Sequence, residues 1–209
     1  PRHYMARDLN LGNAKIASIV GSRGCPWKCS FCSTKILWGQ QARYRKVDDI
    51  IAEMKYLYNT YDINAFIFND DNISVNKKFI ISLCDKIVES KMDIHWATGG
   101  LQVSTLSLDV IQALYRSRFI IFNLGIETGS AATMKQIQKP LNIDKIFEVV
   151  TDIRSLGDGY ILGMFIIGFP YETKADIHET LTLIAELDMD WKAIFCFKTV
   201  KARGAFSTK

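Results

Sequence analysis

The chain has 209 residues, 26 Lys+Arg against 22 Asp+Glu, and a formal net charge of +4. Its 48% hydrophobic residues can bury a sizeable core at the scale of one domain. The charge excess is too small to indicate nucleic acid, and no apolar run approaches the roughly 18 residues of a membrane span. Five cysteines with three clustered do not make a disulfide framework, which favours a reducing compartment and a cytoplasmic location. The chain starts at Pro1 without a signal pattern and reads as a piece of something longer.

Residues 1–14 are polar and aperiodic, a lead-in or linker. Lys15 to Gly21 reads as a short buried strand. Val47, Ile50, Ile51, Met54, Leu57 and Tyr58 recur with helical spacing. Ala65 to Phe68 is an apolar strand running into Asn69-Asp70-Asp71-Asn72. Asn76 caps a helix carrying Phe79, Ile80, Leu83, Cys84, Ile87 and Val88, which puts Cys84 in the core rather than at a metal. Ile94 to Thr98 is a third strand, closed by Gly99-Gly100, and Ser107 caps the helix of Val110, Ile111 and Leu114.

Phe119 to Ile126 is a fourth strand, followed by Glu127-Thr128-Gly129-Ser130. A helix begins near Ser130 and Pro140 interrupts it; a second carries Ile143, Ile146, Phe147, Val150 and Ile153. Ile161 to Ile167 is a fifth strand ending in Gly168-Phe169-Pro170, Ile177, Leu181 and Ile184 mark a helix, and Ala193 to Thr199 is a sixth strand. Apolar strands alternating with helices imply a parallel sheet covered on both faces. The expected fold is α/β, a partial (β/α)6 TIM-like barrel over residues 15–200, with a tail at 201–209.

The loop after the first strand holds Cys25, Cys29 and Cys32, spaced C-x3-C-x2-C. Thiolates hold iron–sulfur clusters, and a cubane with three of them keeps one iron open. A zinc site needs a fourth ligand, and His3, His95 and His178 form no spaced pair. A redox dithiol would use Cys29 and Cys32 and leave Cys25 surplus. In a βα barrel the active site lies at the C-terminal strand ends. There the sequence places the cysteines, Asp70 and Asp71, Thr98-Gly99-Gly100, Glu127 and Gly168. Arg43-Tyr44-Arg45-Lys46 reads as a solvated approach to the first helix, with an anion contact near the cluster mouth as its alternative.

The C-x3-C-x2-C motif, with Phe31 before its last cysteine, resembles the signature of the radical S-adenosylmethionine (SAM) enzymes. The resemblance covers roughly residues 15–200. It implies a [4Fe–4S] cluster on Cys25, Cys29 and Cys32, SAM chelated at the open iron, and reductive cleavage to methionine and a 5′-deoxyadenosyl radical. It implies that Phe31 contacts adenine, that Asp70 or Asp71 accepts from the SAM amino group, and that Glu127 meets the ribose or amino-acid part. Gly163 to Thr173, with Gly168 and the G-F-P-x-E-T ending, looks like the segment that packs the adenine; Glu172 is given only a structural role. Asn69-Asp70-Asp71, where Gly-Glu is the common form, resembles the branch that often carries a cobalamin-binding domain; no sequence of that domain is present here, and cobalamin stands as an option for the full-length parent. The implied partners are SAM, an unknown substrate undergoing methyl transfer or rearrangement, and an electron donor such as flavodoxin or ferredoxin. A metal-stabilised binding module, holding zinc or an Fe–S cluster without catalysis, is the reading from another class.

Overall fold

The computed structural model describes residues 14–198. The lead-in apart from its last residue, the barrel's expected end at Thr199-Val200 and the tail at 201–209 lie outside the described residues. Strand β1 (Ile16–Ile19) leads into an antiparallel ribbon of β2 (Ser22–Arg23) and β3 (Arg43–Tyr44), with a short helix α1 (Thr34–Leu37) between them. Then come α2 (Val47–Tyr61), β4 (Ala65–Phe68), α3 (Lys77–Ser90), β5 (His95–Thr98), β6 (Leu101–Gln102), α4 (Leu108–Arg116) and β7 (Ile121–Glu127). Helices α5 (Ala131–Gln136) and α6 (Ile143–Leu156), β8 (Tyr160–Ile167), α7 (Lys174–Glu186) and β9 (Trp191–Cys196) complete the order.

β1, β4 and β5 pair in parallel, and so do β6, β7, β8 and β9. A parallel bridge from Trp96 to Phe119 joins the two groups, with Ile120 N–H donating to the Trp96 carbonyl at 3.1 Å. The third strand therefore continues past Gly99-Gly100: β5 and β6 are its two halves, broken at the glycines. Counted so, six parallel strands follow one another in chain order, the open (β/α)6 barrel expected. Trp96 holds the seam. It is fully buried, its ring meets Phe68 and Phe119 edge-on at 5.3 and 4.8 Å, and its Nε1–H donates to the Ser117 carbonyl at 3.0 Å.

The helices bury their periodic apolar faces on the outside of the sheet. Ile50, Met54, Ile80, Leu83, Val110, Leu114, Val149 and Ile153 are fully buried there, and Cys84 lies among them as expected. Asn76 caps α3 by accepting from Phe79 N–H at 3.1 Å. Ser107 stands at the N-cap position of α4 but makes no capping bond; its hydroxyl donates to Asp109 instead. Thr173 and Asp176 form a capping box at α7. No helix among the described residues is long and apolar enough to cross a membrane.

Two further expectations need correction, at α5 and at β9. α5 stops at Gln136, well before Pro140, because Gln138 turns left-handed at φ 55°. Arg43-Tyr44 forms a strand of the small ribbon, and Arg43, Arg45 and Lys46 are exposed on the way into α2, the solvated approach expected. Coverage on both faces fails at β9, where Trp191, Ile194 and Phe195 are 59%, 44% and 54% exposed. An open barrel leaves its last strand as an edge, and among the described residues β9 pairs only with β8.

Candidate active site

The cysteine loop fills the gap between β2 and α1, over the C-terminal ends of the strands. Gly24, at φ +88°, starts it, and a Cβ there would lie 2.4 Å from the Gln41 carbonyl oxygen, so no larger residue fits. Asp71 ties both ends of the loop. Its carboxylate accepts from Gly24 N–H at 2.8 Å and from the Thr34 hydroxyl at 3.0 Å. Asp70, 8% exposed, is turned beneath the loop, where it accepts from Gly21 N–H at 3.1 Å and from Ser22 N–H. Burial pushes the Asp70 carboxyl up, and its bonds to Ser22 and Gly21 partly offset that. The two aspartates after β4 thus divide their work: Asp70 anchors the backbone after β1, and Asp71 clamps the cysteine loop and lines the cleft.

Cys25, Cys29 and Cys32 all line one cleft, with Phe31, Asp71, Gly100, Gln102, Gly125, Glu127, Lys139 and Met164 among its other walls. Its cavity of about 180 Å³ opens to solvent and is smaller than the roughly 300–1,000 Å³ common for ligand pockets. Cys29 is buried; Cys25 and Cys32 are half-buried. Burial raises the Cys25 and Cys29 thiols, and at Cys29 the nearby Lys139 charge opposes it.

Across the cleft, Lys139 Nζ donates to Glu127 Oε1 at 2.8 Å, with side chains only 4% and 12% exposed. Glu127 sits at the end of β7 with φ 72°, where the pairing with β8 slips between Gly125 and Glu127. A left-handed glutamate at a strand end is a costly conformation of the kind found at functional sites. Gly125 explains itself: a Cβ there would lie 3.0 Å from Glu127 Oε1 and 3.3 Å from Lys139 Nζ. Gln102, opposite Gly125 in the register, is 8% exposed, and its Nε2 has no hydrogen-bond partner among the described residues.

Of the predicted site residues, the fold brings Cys25, Cys29, Cys32, Phe31, Asp71 and Glu127 to one cleft. Asp70 and Gly168 are not in its wall. Gly168, at φ +85°, donates to Glu172 Oε2 at 2.6 Å, and Phe169 N–H donates to the same oxygen at 3.1 Å, so Glu172 closes the turn after β8. Met164 takes the strand-5 place in the wall. Phe31 also meets Phe169 at 5.9 Å between ring centroids, and Phe169 packs on Phe197 at 4.9 Å, linking the cysteine loop to the ends of β8 and β9. Sequence reasoning missed Lys139 and Gln102. A lone lysine before a proline carries no local signal, and Gln102 lies beyond the glycines taken to end its strand.

The chain is similar to an uncharacterised methyltransferase of Pyrococcus horikoshii, 32% identical over 173 residues that make up 83% of this chain and 37% of that one. It is 31% identical over 159 residues to the cytidylyl-2-hydroxyethylphosphonate methyltransferase of Streptomyces wedmorensis, 75% of this chain and 29% of that one. The chain thus spans about a third of the length of these relatives. Its fold matches the radical SAM methyltransferase TsrM of Kitasatospora setae, solved with cobalamin and a [4Fe–4S] cluster, at a TM-score of 0.79 and 16% identity, over 88% of this chain and 34% of that one. The model of the radical SAM superfamily matches residues 19–184, from the end of β1 into α7, and the chain belongs to that superfamily.

Proposed function

We propose that the chain is the barrel of a radical SAM enzyme of methyltransferase type, with Cys25, Cys29 and Cys32 holding a [4Fe–4S] cluster. The observation that carries this is the facing arrangement of three cysteines, without a fourth, and a buried Glu127–Lys139 pair in one cleft. The donor set fits: three thiolates take three irons and leave the fourth open. When bound, the cluster supplies an electron that splits SAM into methionine and a 5′-deoxyadenosyl radical.

The chain's own residues bind and orient. Lys139, buried in the cleft wall beside Glu127, would take the SAM carboxylate, and Glu127 would accept from the ammonium or ribose hydroxyls. Asp71 holds the loop and is better placed than Asp70 to accept from the amino group. Phe31 offers an apolar face for adenine, and Gly168, outside the cleft wall, would serve through the turn that sets Phe169 against Phe31. The apolar walls, Met164 and Leu101 among them, exclude water from a reactive intermediate.

Methyl transfer is favoured over rearrangement because the similar curated proteins above are methyltransferases. Cobalamin in the full-length parent is favoured by the Asn69-Asp70-Asp71 form and by the likeness to TsrM. The electron donor is a flavodoxin or ferredoxin, and a cluster on free thiols suits the cytoplasm. A binding module with zinc is the second reading; among the described residues, though, no three His, Cys, Asp or Glu side chains converge on a point that would hold one ion.

Anaerobic reconstitution tests the proposal. About four irons and four sulfides per chain are expected. Cys25→Ala, Cys29→Ala and Cys32→Ala should each abolish the cluster, while Cys84→Ala and Cys196→Ala should retain it. SAM should change the cluster spectrum; a full cluster indifferent to saturating SAM would sink the reading.

A further inference from the structure

The segment around the cysteine loop concentrates positive charge that acidic side chains among the described residues offset at one position, Arg45. Residues 22–46 hold six of the chain's 26 Lys+Arg and none of its 22 Asp+Glu, so a chain of net +4 is +6 here and −2 elsewhere. Arg23, Lys28, Lys35, Arg43, Arg45 and Lys46 are all exposed. Arg45 pairs with Glu53 at 2.6 Å; the other five enter no ion pair among the described residues. Arg23 and Arg43 stand directly opposite each other in the β2–β3 ribbon, where like charges destabilise.

The same surface carries three consecutive apolar residues in water. Ile36, Leu37 and Trp38 are 73%, 67% and 41% exposed. The Arg23 guanidinium lies 4.9 Å from the centroid of the Trp38 ring, and Arg43 Nη2 donates to the Trp38 carbonyl at 3.3 Å, so cations and apolar side chains form one patch. An apolar centre with Trp and Arg inside a cationic rim has the composition of a protein-binding hot spot. Polynucleotide backbones offer nothing for Ile36 and Leu37 to bury against, which favours an acidic protein over RNA or DNA.

We infer that this face docks a small acidic one-electron carrier protein that reduces the cluster. The inference rests on the proposed function and names the partner of that same site. Lys28 lies between Cys25 and Cys29, and α1 begins just after Cys32. Thr34 and Lys35 line the cleft while Ile36, Leu37 and Trp38 do not, so α1 serves the cleft and the docking face with different residues. In the step itself one electron leaves the reduced carrier and enters the cluster; the carrier is oxidised, the cluster is reduced, and no bond forms or breaks. Cationic steering of an acidic carrier raises the association rate and makes it fall with salt.

The test follows cluster reduction by stopped-flow absorbance in the anaerobically reconstituted chain, with reduced flavodoxin as the carrier and photoexcited deazariboflavin as a small neutral reductant. Flavodoxin should reduce the cluster at a second-order rate that falls about tenfold or more from low to high salt. Arg23→Glu with Lys28→Glu should slow it by a similar factor and flatten the salt dependence; Leu37→Asp should slow it without flattening. All variants should keep their iron content and their rate with deazariboflavin. A flavodoxin rate indifferent to salt and to these substitutions overturns the inference, as does an equal loss with both reductants. Tight binding of a single-stranded RNA oligonucleotide, abolished by the same substitutions, reassigns the face. In the full-length parent, a carrier rate indifferent to the substitutions shows the face to be covered and overturns the inference. Failure to form any cluster counts against the proposed function instead.

Discussion

Lys139 and Glu127 meet at 2.8 Å in the wall of the cleft, both almost wholly buried, and the backbone bends twice to bring them there. Glu127 is left-handed at φ 72°, and Gln138, next to Lys139, is left-handed at φ 55°. Each such residue costs on the order of 1–3 kcal/mol, and strain of that size persists only where the surroundings enforce it. Here it places two opposite charges facing three thiols.

Removing one charge should therefore do more than removing both. Lys139→Met leaves the Glu127 carboxylate buried and unpaired, an expected loss of about 3–5 kcal/mol. Lys139→Met with Glu127→Gln should recover much of that in denaturant unfolding, yet SAM affinity, titrated on the reconstituted protein, should stay low. Gly125→Ala is the gentler probe. Its methyl presses on both charged groups, so the fold should survive while SAM binding weakens; unchanged affinity would show that the pair can move without consequence.

The two aspartates after β4 should part company. Asp70→Ala strips an acceptor from Gly21 and Ser22 N–H and should cost about 1.5–3 kcal/mol of stability. Asp71→Ala releases Gly24 and Thr34, so its main effect should be faster loss of the cluster, read as iron content against time after desalting. Equal stability losses and equal cluster lifetimes would contradict this division.

Cys84 offers a check on the core far from the cleft. Burial pushes its thiol up to about 12. The folded chain thus favours the neutral thiol more than the unfolded chain does. That contribution is complete below the ordinary thiol pKa near 9 and is lost as pH rises toward 12, roughly 4 kcal/mol at about 1.36 kcal/mol per unit. Unfolding free energy from pH 8 to 11 should fall more steeply in the wild type than in Cys84→Ala. Parallel curves would show the thiol to be hydrated.

The strands and helices were legible because each carries its own period: Ala65 to Phe68 and Ile161 to Ile167 are continuous apolar runs, and α2, α3 and α6 repeat at helical spacing. Cys25, Cys29 and Cys32 were legible because their spacing is local. What escaped depends on contacts between distant residues. The β2–β3 ribbon has only two residues a side and no pattern. Lys139 matters only through Glu127, and Gln102 only through the fold that sets it beside Gly125. Asp70 and Asp71 are adjacent in sequence, and nothing there tells which one turns beneath the loop.

Loading of the cysteines supplies the last prediction. Iron binds thiolates, so each cysteine must lose its proton as metal arrives. Burial holds the Cys25 and Cys29 thiols above their ordinary value, Cys25 with a small addition from Cys32 and Asp71. Cluster assembly in the apo-protein should accelerate as pH rises from about 7 to 9, because a larger thiolate fraction is then available. Lys139 works the other way at Cys29, where its charge favours the thiolate. Lys139→Met should therefore move the assembly profile to higher pH, and Lys139→Arg should leave it near the wild-type position. Assembly followed by visible absorbance at a series of pH values separates the cases. A Lys139→Met profile that coincides with wild type would mean that the lysine charge is spent on Glu127 alone and does not reach the cysteines.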